Sequence, residues 1–315
     1  MDLHQLRLLR ELGERGSLAA VARALHVSAS AVSQQLTALQ RRVEVPLTER
    51  RGRTLVLTSA GQALARAAVD VSVAMGSAEQ AVSQYLQDPQ AAVSLCAFNS
   101  AGLTYFGPLL QDLSGEGSPR LICYDQDVGQ DDFPALTADY DLVIAHRLEH
   151  STPWPEATTV LPLVREPLDV AMSDRHRLAN APSVSIGDLI DEEWVSVHDG
   201  FPLVHALQAI AVHAGQPLNI THRINEFSTA AAIVSAGPAI ALMPRHTSAP
   251  PAGSGIVLKS IHDLPLARRV DILCRPEALH RTAVLQVIAA LRRTAFSSIG
   301  SEAALCRETG VSQAD

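Results

Sequence analysis

The chain has 315 residues, 47% of them hydrophobic, which allows two or three domains with buried cores that need neither disulfides nor metal ions. Its cysteines (Cys96, Cys123, Cys274 and Cys306) are scattered and form no Cys-x-x-Cys pair, so we expect a reducing cytoplasm rather than a disulfide framework. There is no secretory signal and no run of about 18 apolar residues, so we expect a protein that is neither exported nor membrane-spanning.

Charge is distributed unevenly along the chain. The net charge is −8, yet residues 1 to 66 carry ten arginines against five acidic residues, and the remainder carries 15 basic against 28 acidic residues. This asymmetry indicates a basic, nucleic-acid-facing N-terminal part on an acidic body.

The first forty residues predict three short helices. Leucines recur at helical spacing from Leu3 to Leu12 behind Asp2 as N-cap, and Ser17 and Ser28 cap two further helices joined by a tight turn. This is a helix-turn-helix pattern. The third helix has an apolar face that we expect to be buried, consisting of Val32, Leu36, Leu39 and Val43. Its opposite face carries Ser30, Ser33, Gln34, Thr37 and Arg41.

A two-stranded wing and a long helix follow. Gly52 suits the turn of the wing, Leu55–Leu57 suits its returning strand, and Thr58 or Ser59 caps a helix that extends to about Gln87. An apolar seam runs along this helix and consists of Leu64, Ala68, Val71, Met75, Ala78, Val82 and Tyr85. Because the helix joins two domains and has no evident partner in its own chain, we expect it to form a dimer rather than to pack internally.

Beyond Asp88-Pro89, apolar strands alternate with helical patterns. Strands are predicted at residues 92–98, 120–124, 141–145, 168–172, 194–197, 220–225, 239–243 and 269–274, and helices at residues 202–214, 228–236 and 278–295. This alternation is typical of doubly wound α/β sheets, which bind ligands at the carboxyl ends of their strands. Residues 298–315 are expected to form a flexible tail.

One dense set of residues goes beyond these general patterns. It consists of Ser17 to Leu36 (SLAAVARALHVSASAVSQQL), Leu39, Val45–Leu47, Glu49–Arg50, Arg53 and Leu57–Gly61, and more thinly Leu161–Leu163, Asp188–Leu189 and Ile233–Pro244. In this set the chain closely resembles the LysR-type transcriptional regulators, over nearly its whole length. It departs from the family pattern at Gln40, Glu44 and Thr48, and Gln34 stands where many members carry a base-contacting arginine.

The resemblance implies an α/β protein with an N-terminal winged helix-turn-helix, a long linker helix and a two-lobed effector domain similar to periplasmic binding proteins. Residues 1–58 would bind DNA, 59–88 would form the dimerising linker, and 89–297 would bind the effector. Lobe I would comprise 89–162 and 268–297, and lobe II 163–267, with crossings near 161–164 and 264–269. The implied partners are operator DNA, a small-molecule effector, further copies in a dimer or tetramer, and RNA polymerase; no cofactor is expected.

The third helix and the wing carry the candidate DNA contacts. Short or flexible polar side chains can reach base edges in the major groove, and because glutamine pairs with adenine, Gln34 is expected to read a base. The arginines, including Arg42, are expected to hold phosphates or the minor groove. The predicted contacts are Ser28, Ser30, Ser33, Gln34, Thr37, Arg41, Arg50, Arg51 and Arg53.

Effector contacts are expected in loops after strands and at helix N-termini, where unpaired N–H groups favour anions. The candidates are Asn99, Ser100, Ala101, Arg147, His198, Asp199, Phe227, Ser228 and Thr229. Arg147 would suit a carboxylate and Asp199 an amine, which indicates an amino acid or an organic acid. Two alternatives stay open: Ser100 and Ser228 act only as helix caps, and Arg147 forms a surface salt bridge.

Other functions find less support. His146 and His150 have helical ligand spacing but no third ligand, so we expect no metal site. The sequence has no nucleophile elbow, Walker loop or dinucleotide fingerprint, so we expect no enzyme. The strand cysteines should be inert, which argues against a thiol switch. The remaining alternative is a cytoplasmic small-molecule-binding protein without a role on DNA, against which the arginine-bearing N-terminal helices count.

Overall fold

The computed structural model describes residues 1–52, 54–86 and 89–299. Its N-terminal part consists of three helices, α1 (Leu3–Arg15), α2 (Leu18–Ala24) and α3 (Ala29–Gln40), and an antiparallel ribbon of β1 (Thr48–Arg51) and β2 (Thr54–Leu57). The predicted helices and wing are therefore confirmed.

Side-chain caps fix where these helices begin. Asp2 and Gln5 form a capping box in which Oδ1 of Asp2 accepts from the Gln5 N–H at 2.8 Å. The hydroxyls of Ser17 and Ser28 each accept from the N–H three residues further on, at 3.2 and 3.1 Å. Each cap satisfies an N–H group that has no partner inside the helix.

One apolar cluster joins the three helices to the wing. Its buried members are Leu8, Leu9, Leu12, Val21, Ala22, Val32, Leu36, Leu39 and Leu47. Three residues of the predicted buried face of α3 belong to it, whereas the fourth, Val43, follows the helix and is only half-buried.

The long helix α4 (Ser59–Leu86) begins after Thr58, whose Oγ1 accepts from the Gly61 N–H at 3.0 Å. It packs against α1 and against a 3-10 turn at Pro276–His280. A Cβ atom at Gly76 would lie 3.3 Å from Cβ of Glu277, so the glycine permits this close approach. The expectation that the helix has no partner in its own chain is therefore wrong.

Part of the apolar seam of α4 nevertheless faces solvent. Val71, Met75 and Val82 are exposed, whereas Ala68 is buried. The side chain of Tyr85, which the sequence places in the same seam, lies outside the described residues.

The C-terminal part alternates strands with helices. Its strands are β3 (Ala92–Ala97), β4 (Arg120–Asp125), β5 (Leu142–Leu148), β6 (Thr159–Ser173), β7 (Glu193–Ser196), β8 (Asn219–Arg223), β9 (Ile240–Pro244), β10 (Ile256–Lys259) and β11 (Leu266–Cys274). Its α-helices are α5 (Asn99–Asp112), α6 (Phe133–Leu136), α7 (Ile186–Leu189), α8 (Leu203–Ala214), α9 (Phe227–Ala236) and α10 (Thr282–Ile299).

These nine strands form one sheet in the order β4-β3-β5-β11-β6-β9-β7-β8, with β10 paired to β6. The outer groups β3–β4–β5 and β7–β8–β9 are parallel, whereas the central strands β6 and β11 run antiparallel to their neighbours. Separate apolar clusters lie in the two halves, one around β3, β5 and α10 and the other around β7 and α8. The sheet is thus mixed at its centre and doubly wound in each half.

The central strands differ most from the sequence expectation. Residues 168–172 are the end of the 15-residue strand β6, which pairs with β11 from Thr159 to Leu168. Pro162 lies where the register shifts opposite Asp271, so its missing N–H donor is tolerated there. The prolines and charges of residues 162–167 interrupt the apolar pattern of this strand, and the sequence pattern does not predict β10. Within the described residues, no helix has the length and hydropathy required to cross a membrane.

Candidate DNA-reading face and effector cleft

The outer face of α3 is polar and open to solvent. Ser30, Ser33, Gln34 and Thr37 are all exposed above the buried Val32, Leu36 and Leu39. Oγ1 of Thr37 donates to the Ser33 carbonyl at 2.8 Å, and Ser28 is engaged as the N-cap. Gln34 forms no hydrogen bond to another described residue, so its amide is free to bind a partner.

Arginines border this face on two sides. Arg41 and Arg42 directly follow α3 and are exposed. On the wing Arg50 is exposed, and Arg51 pairs with Glu49 at 2.9 Å while remaining 76% exposed. The predicted contact Arg53 lies outside the described residues.

The side chain of Gln40 ties the end of α3 to the wing. Its Nε2 donates to the carbonyls of Val43 and Val45 at 3.2 and 2.9 Å, and its Oε1 accepts from the Leu47 N–H at 2.7 Å. The sequence marks Gln40 only as a departure from the family pattern. The hydrogen bonds account for this departure, because a glutamate at position 40 could not donate to the two carbonyls.

A small cavity of about 30 Å³ lies between the two halves of the large sheet. It is lined by Phe98, Asn99, Ser100, Asp127, His146, Val197, Phe201, Pro202, Leu203, Asn225, Glu226, Phe227 and Arg268. Of the predicted effector contacts it brings together Asn99, Ser100 and Phe227. The others do not line it: Ala101, Arg147, His198, Asp199, Ser228 and Thr229.

The floor of the cavity is a buried ion pair that the sequence does not reveal. Nε of Arg268 donates to Oε2 of Glu166 at 2.9 Å, and both side chains are 1% exposed. Nη2 of Arg268 also donates to Thr247 and Ser100, at 2.6 and 3.3 Å. Burial alone would raise the pKa of the Glu166 carboxyl, but Arg268 and the backbone N–H groups of Thr247 and His246 outweigh it and lower the pKa. The carboxylate is therefore charged.

The N-terminus of α9 is already capped by an anion of the chain. Carboxylate oxygens of Glu226 accept from the N–H groups of Ser228 and Thr229 at 3.0 and 2.8 Å, and from both hydroxyls. Burial opposes this by raising the pKa of Glu226, but the four hydrogen bonds outweigh it and lower the pKa. The expectation that Ser228 and Thr229 are free to receive an anion is therefore corrected.

Arg147 lies at the end of β5 but joins a structural network. Its Nε is 3.7 Å from Oδ2 of Asp271, which also accepts from Nε1 of Trp154 at 2.7 Å, and its Nη1 donates to the Ser151 carbonyl at 3.4 Å. These contacts favour the salt-bridge alternative for Arg147, but the bridge is largely buried and not at the surface, because the two side chains are 15% and 5% exposed. His198 and Asp199 are exposed beyond Val197, and Ala101 is buried in the core beneath α5.

His146 is buried in strand β5, at 5% exposure, with the rings of Phe98 and Phe133 at 4.5 and 5.5 Å. Burial first and Arg268 second hold the pKa of its imidazole well below the usual range, so the ring is neutral. Its Nδ1 has no hydrogen-bond partner in the described structure. No cluster of potential metal ligands occurs among the described residues.

The cysteines within the described residues are free thiols. Burial raises the pKa of Cys96 and of Cys274 to about 11 and also raises that of Cys123. Thiolates are the reactive form, and at neutral pH these side chains are protonated. Cys306 lies outside the described residues.

Comparison with known proteins identifies both parts of the chain. Residues 3–62 match the bacterial regulatory helix-turn-helix proteins of the lysR family, and residues 86–295 match the LysR substrate binding domain. The chain is 26% identical over 297 residues to the DNA-binding transcriptional dual regulator OxyR of Escherichia coli, covering 93% of this chain and 95% of that one. It is 24% identical over 251 residues to an uncharacterized HTH-type transcriptional regulator, YybE of Bacillus subtilis, covering 78% and 82%.

Solved structures show the same fold. A full-length OxyR variant from Pseudomonas aeruginosa superposes with a TM-score of 0.61 at 18% identity over 94% of both chains. CbnR, a LysR family regulator solved with its target DNA, gives a TM-score of 0.52 at 19% identity over 94% of this chain and 100% of that one. The family consists of transcriptional regulators rather than enzymes. The chain belongs to the LysR family: it is a DNA-binding transcriptional regulator with an effector-binding domain.

Proposed function

We propose that this regulator recognises its operator through the outer face of α3, with Gln34 reading a base. The observation that carries the proposal is the free amide of Gln34 on an exposed face, flanked by Ser30 and Ser33. An amide of this kind can pair with N6 and N7 of adenine in the major groove. Arg41, Arg42 and the wing arginines would supply the phosphate contacts that position the helix.

Selection of bound sequences from random duplexes tests the role of Gln34. The full-length protein, Gln34→Ala and Gln216→Ala are compared, because Gln216 is an exposed glutamine outside the N-terminal part. Loss of a bidentate base contact removes about 1–3 kcal/mol of discrimination at one position. Only Gln34→Ala should therefore relax the preference at one base pair. The same sequence preference in all three proteins would contradict the proposal.

The regulator dimerises through the exposed apolar residues of α4. Val71, Met75 and Val82 are 37%, 42% and 61% exposed, and their spacing of four and seven residues places them along one stripe. The α4 helix of a second copy would cover this stripe, and pairs of dimers would form the tetramer. Met75→Glu should lower the sedimentation mass at low micromolar concentration. Val212→Glu, at a residue of α8 that is 82% exposed, should not.

The effector binds in the cavity between the two halves of the C-terminal part and favours one arrangement of them. Because the proposed target is operator DNA, the proposal includes a cytoplasmic location and contact with RNA polymerase. The proposal also includes the domain and lobe boundaries at residues 58, 88, 162, 267 and 297. A gel shift with the upstream region of its own gene measures DNA binding directly. If the intact protein gave no salt-sensitive shift, a small-molecule-binding role without DNA would be favoured instead.

A further inference from the structure

The cavity carries more negative than positive side-chain charge. Its lining includes Asp127, Glu226 and Arg268, and Glu166 lies directly against Arg268. Glu166 matches the single positive charge, so the carboxylates of Asp127 and Glu226 are left without an ion-pair partner among the described residues. We propose that the effector carries a protonated amine that binds between Asp127 and Glu226, an inference that rests on the effector site proposed above.

Asp127 would provide the main contact with the ammonium group. Asp127 lines the cavity while remaining exposed to solvent, and its carboxylate forms no hydrogen bond or ion pair with the part of the chain that the structure describes. Loss of solvent raises its pKa, Glu226 raises it further, and Arg268 only partly opposes them. A ligand ammonium would remove the repulsion between the two carboxylates and form charge-assisted hydrogen bonds with them.

The buried imidazole of His146 gives a second, independent observation. Its side chain is 5% exposed and lines the cavity, yet its Nδ1 has no partner among the described residues. A buried polar atom without a hydrogen bond is unfavourable, and such atoms are uncommon in folded proteins. Nδ1 is fully buried, so Nε2 is the ring nitrogen that could meet a ligand; with the ring proton on Nδ1, Nε2 is an acceptor for an ammonium donor.

Aromatic rings line the same cavity as the carboxylates. Phe98, Phe201 and Phe227 all line the cavity, and the guanidinium carbon of Arg268 lies 4.9 Å from the Phe98 ring centroid. Aromatic faces attract cations and also pack against an apolar stem. The lining is thus suited to an ammonium group attached to a hydrocarbon chain or ring.

An organic acid without an amine fits this cavity poorly. Arg268 is matched by Glu166, and Glu226 occupies the N–H groups at the start of α9. A carboxylate would therefore meet the negative charges of Asp127 and Glu226, and the lining residues offer it no unpaired cation. The start of α5 has no side-chain cap, so its N–H groups would suit a carboxylate at the opposite end of the same molecule. Amines and amino acids would bring a positive charge to Asp127 and Glu226, whereas a simple acid would bind only at the start of α5 and leave both carboxylates without a counter-charge.

The cavity is too small to admit an effector in this arrangement of the two halves. A volume of about 30 Å³ admits one or two water molecules, so the halves must separate before a larger ligand enters. Binding is therefore coupled to the relative position of the two halves.

Three compounds with one phenylalkyl skeleton test the inference on the full-length protein: 2-phenylethylammonium, phenylalanine and 3-phenylpropionate. Thermal unfolding and calorimetric titration at millimolar concentration are the readouts. We expect the ammonium compound or the amino acid to raise Tm and the acid not to. Asp127→Asn should weaken amine binding about ten- to hundredfold, since it replaces the charged acceptor of the ammonium group by a neutral one. It should also raise the Tm of the empty protein, because one of two repelling carboxylates is lost.

Asp191→Asn, at an exposed aspartate outside the cavity, is the matched control and should leave binding unchanged. A Tm increase with 3-phenylpropionate alone would overturn the inference. Failure of both amines to bind, or binding that Asp127→Asn leaves intact, would also overturn it. The gel shift with upstream DNA, performed on the same preparations, separates these results from a failure of the proposed regulatory function.

Discussion

Arg275 donates a hydrogen bond of 2.6 Å to Glu11 and thereby connects the effector-binding domain to helix α1 of the helix-turn-helix part. The same nitrogen contacts Glu14 at 2.6 Å, and Arg10 reaches Glu277 at 2.9 Å. Glu11 is 1% exposed, so this contact is shielded from solvent and salt. The ion-pair cluster formed by Arg10, Glu11, Glu14, Arg275 and Glu277 holds α1 against the turn that follows β11.

Removing Arg275 should loosen this contact. Arg275→Met leaves Glu11 buried with only Arg15 as a partner, and we expect a loss of about 1–3 kcal/mol in the free energy of unfolding. Arg293→Met is the control, because its ion pair with Asp112 is 62% and 39% exposed and such pairs contribute about 0–1 kcal/mol. Urea unfolding measures both. Equal effects of the two substitutions would show that the cluster does not stabilise the contact.

The cluster should also respond to acid. Burial raises the pKa of Glu11, but Arg275 and Arg15 outweigh burial, so the pKa lies below its ordinary value of 4.5. A lowered folded-state pKa contributes stability above the ordinary value, and this stability is lost as the pH falls through the folded-state pKa. The unfolding free energy should therefore decrease below about pH 4.5, and Arg275→Met should reduce that decrease. Parallel pH profiles for the two proteins would contradict the assignment.

The side-chain amide of Gln40 should contribute to the stability of the fold. Gln40→Glu keeps the acceptor for the Leu47 N–H but loses both donors to the carbonyls of Val43 and Val45, so we expect a loss of about 1–2 kcal/mol. Gln216→Glu, at an exposed glutamine, should change stability by less than about 0.5 kcal/mol. Urea unfolding compares the two. An unaffected midpoint in Gln40→Glu would mean that water replaces the lost bonds without cost.

Local signals in the sequence predict local structure well here. The predicted helix caps are present at Asp2, Ser17, Ser28 and Thr58. They are predictable because a cap involves residues only three positions apart. The cavity floor could not be found this way. Glu166 and Arg268 are 102 positions apart on strands that meet only in the folded sheet. Likewise, a helix start suggests an anion site, but only the structure reveals that Glu226 already occupies it.

The ion pair at the cavity floor gives a sharper stability prediction. Arg268→Met leaves the Glu166 charge buried and partly unpaired, which costs about 3–5 kcal/mol. Glu166→Gln in the same protein removes that charge and should recover part of the loss. A double-mutant cycle on unfolding free energies therefore gives a coupling energy between the two sites, whereas additive losses would indicate independent roles.

Arg50 should affect DNA affinity without affecting sequence choice. It is exposed on the wing and forms no ion pair with another described residue, so its charge is available to a phosphate. A phosphate contact releases counterions from DNA, and its loss reduces the slope of log K against log salt by about one. Arg50→Ala should therefore weaken binding to all duplexes and flatten the salt dependence. Arg293→Ala, at an exposed arginine of α10, should leave both unchanged. An unchanged salt slope in Arg50→Ala, measured by fluorescence anisotropy over a range of salt concentrations, would place the wing away from the backbone and leave Arg41 and Arg42 as the phosphate contacts.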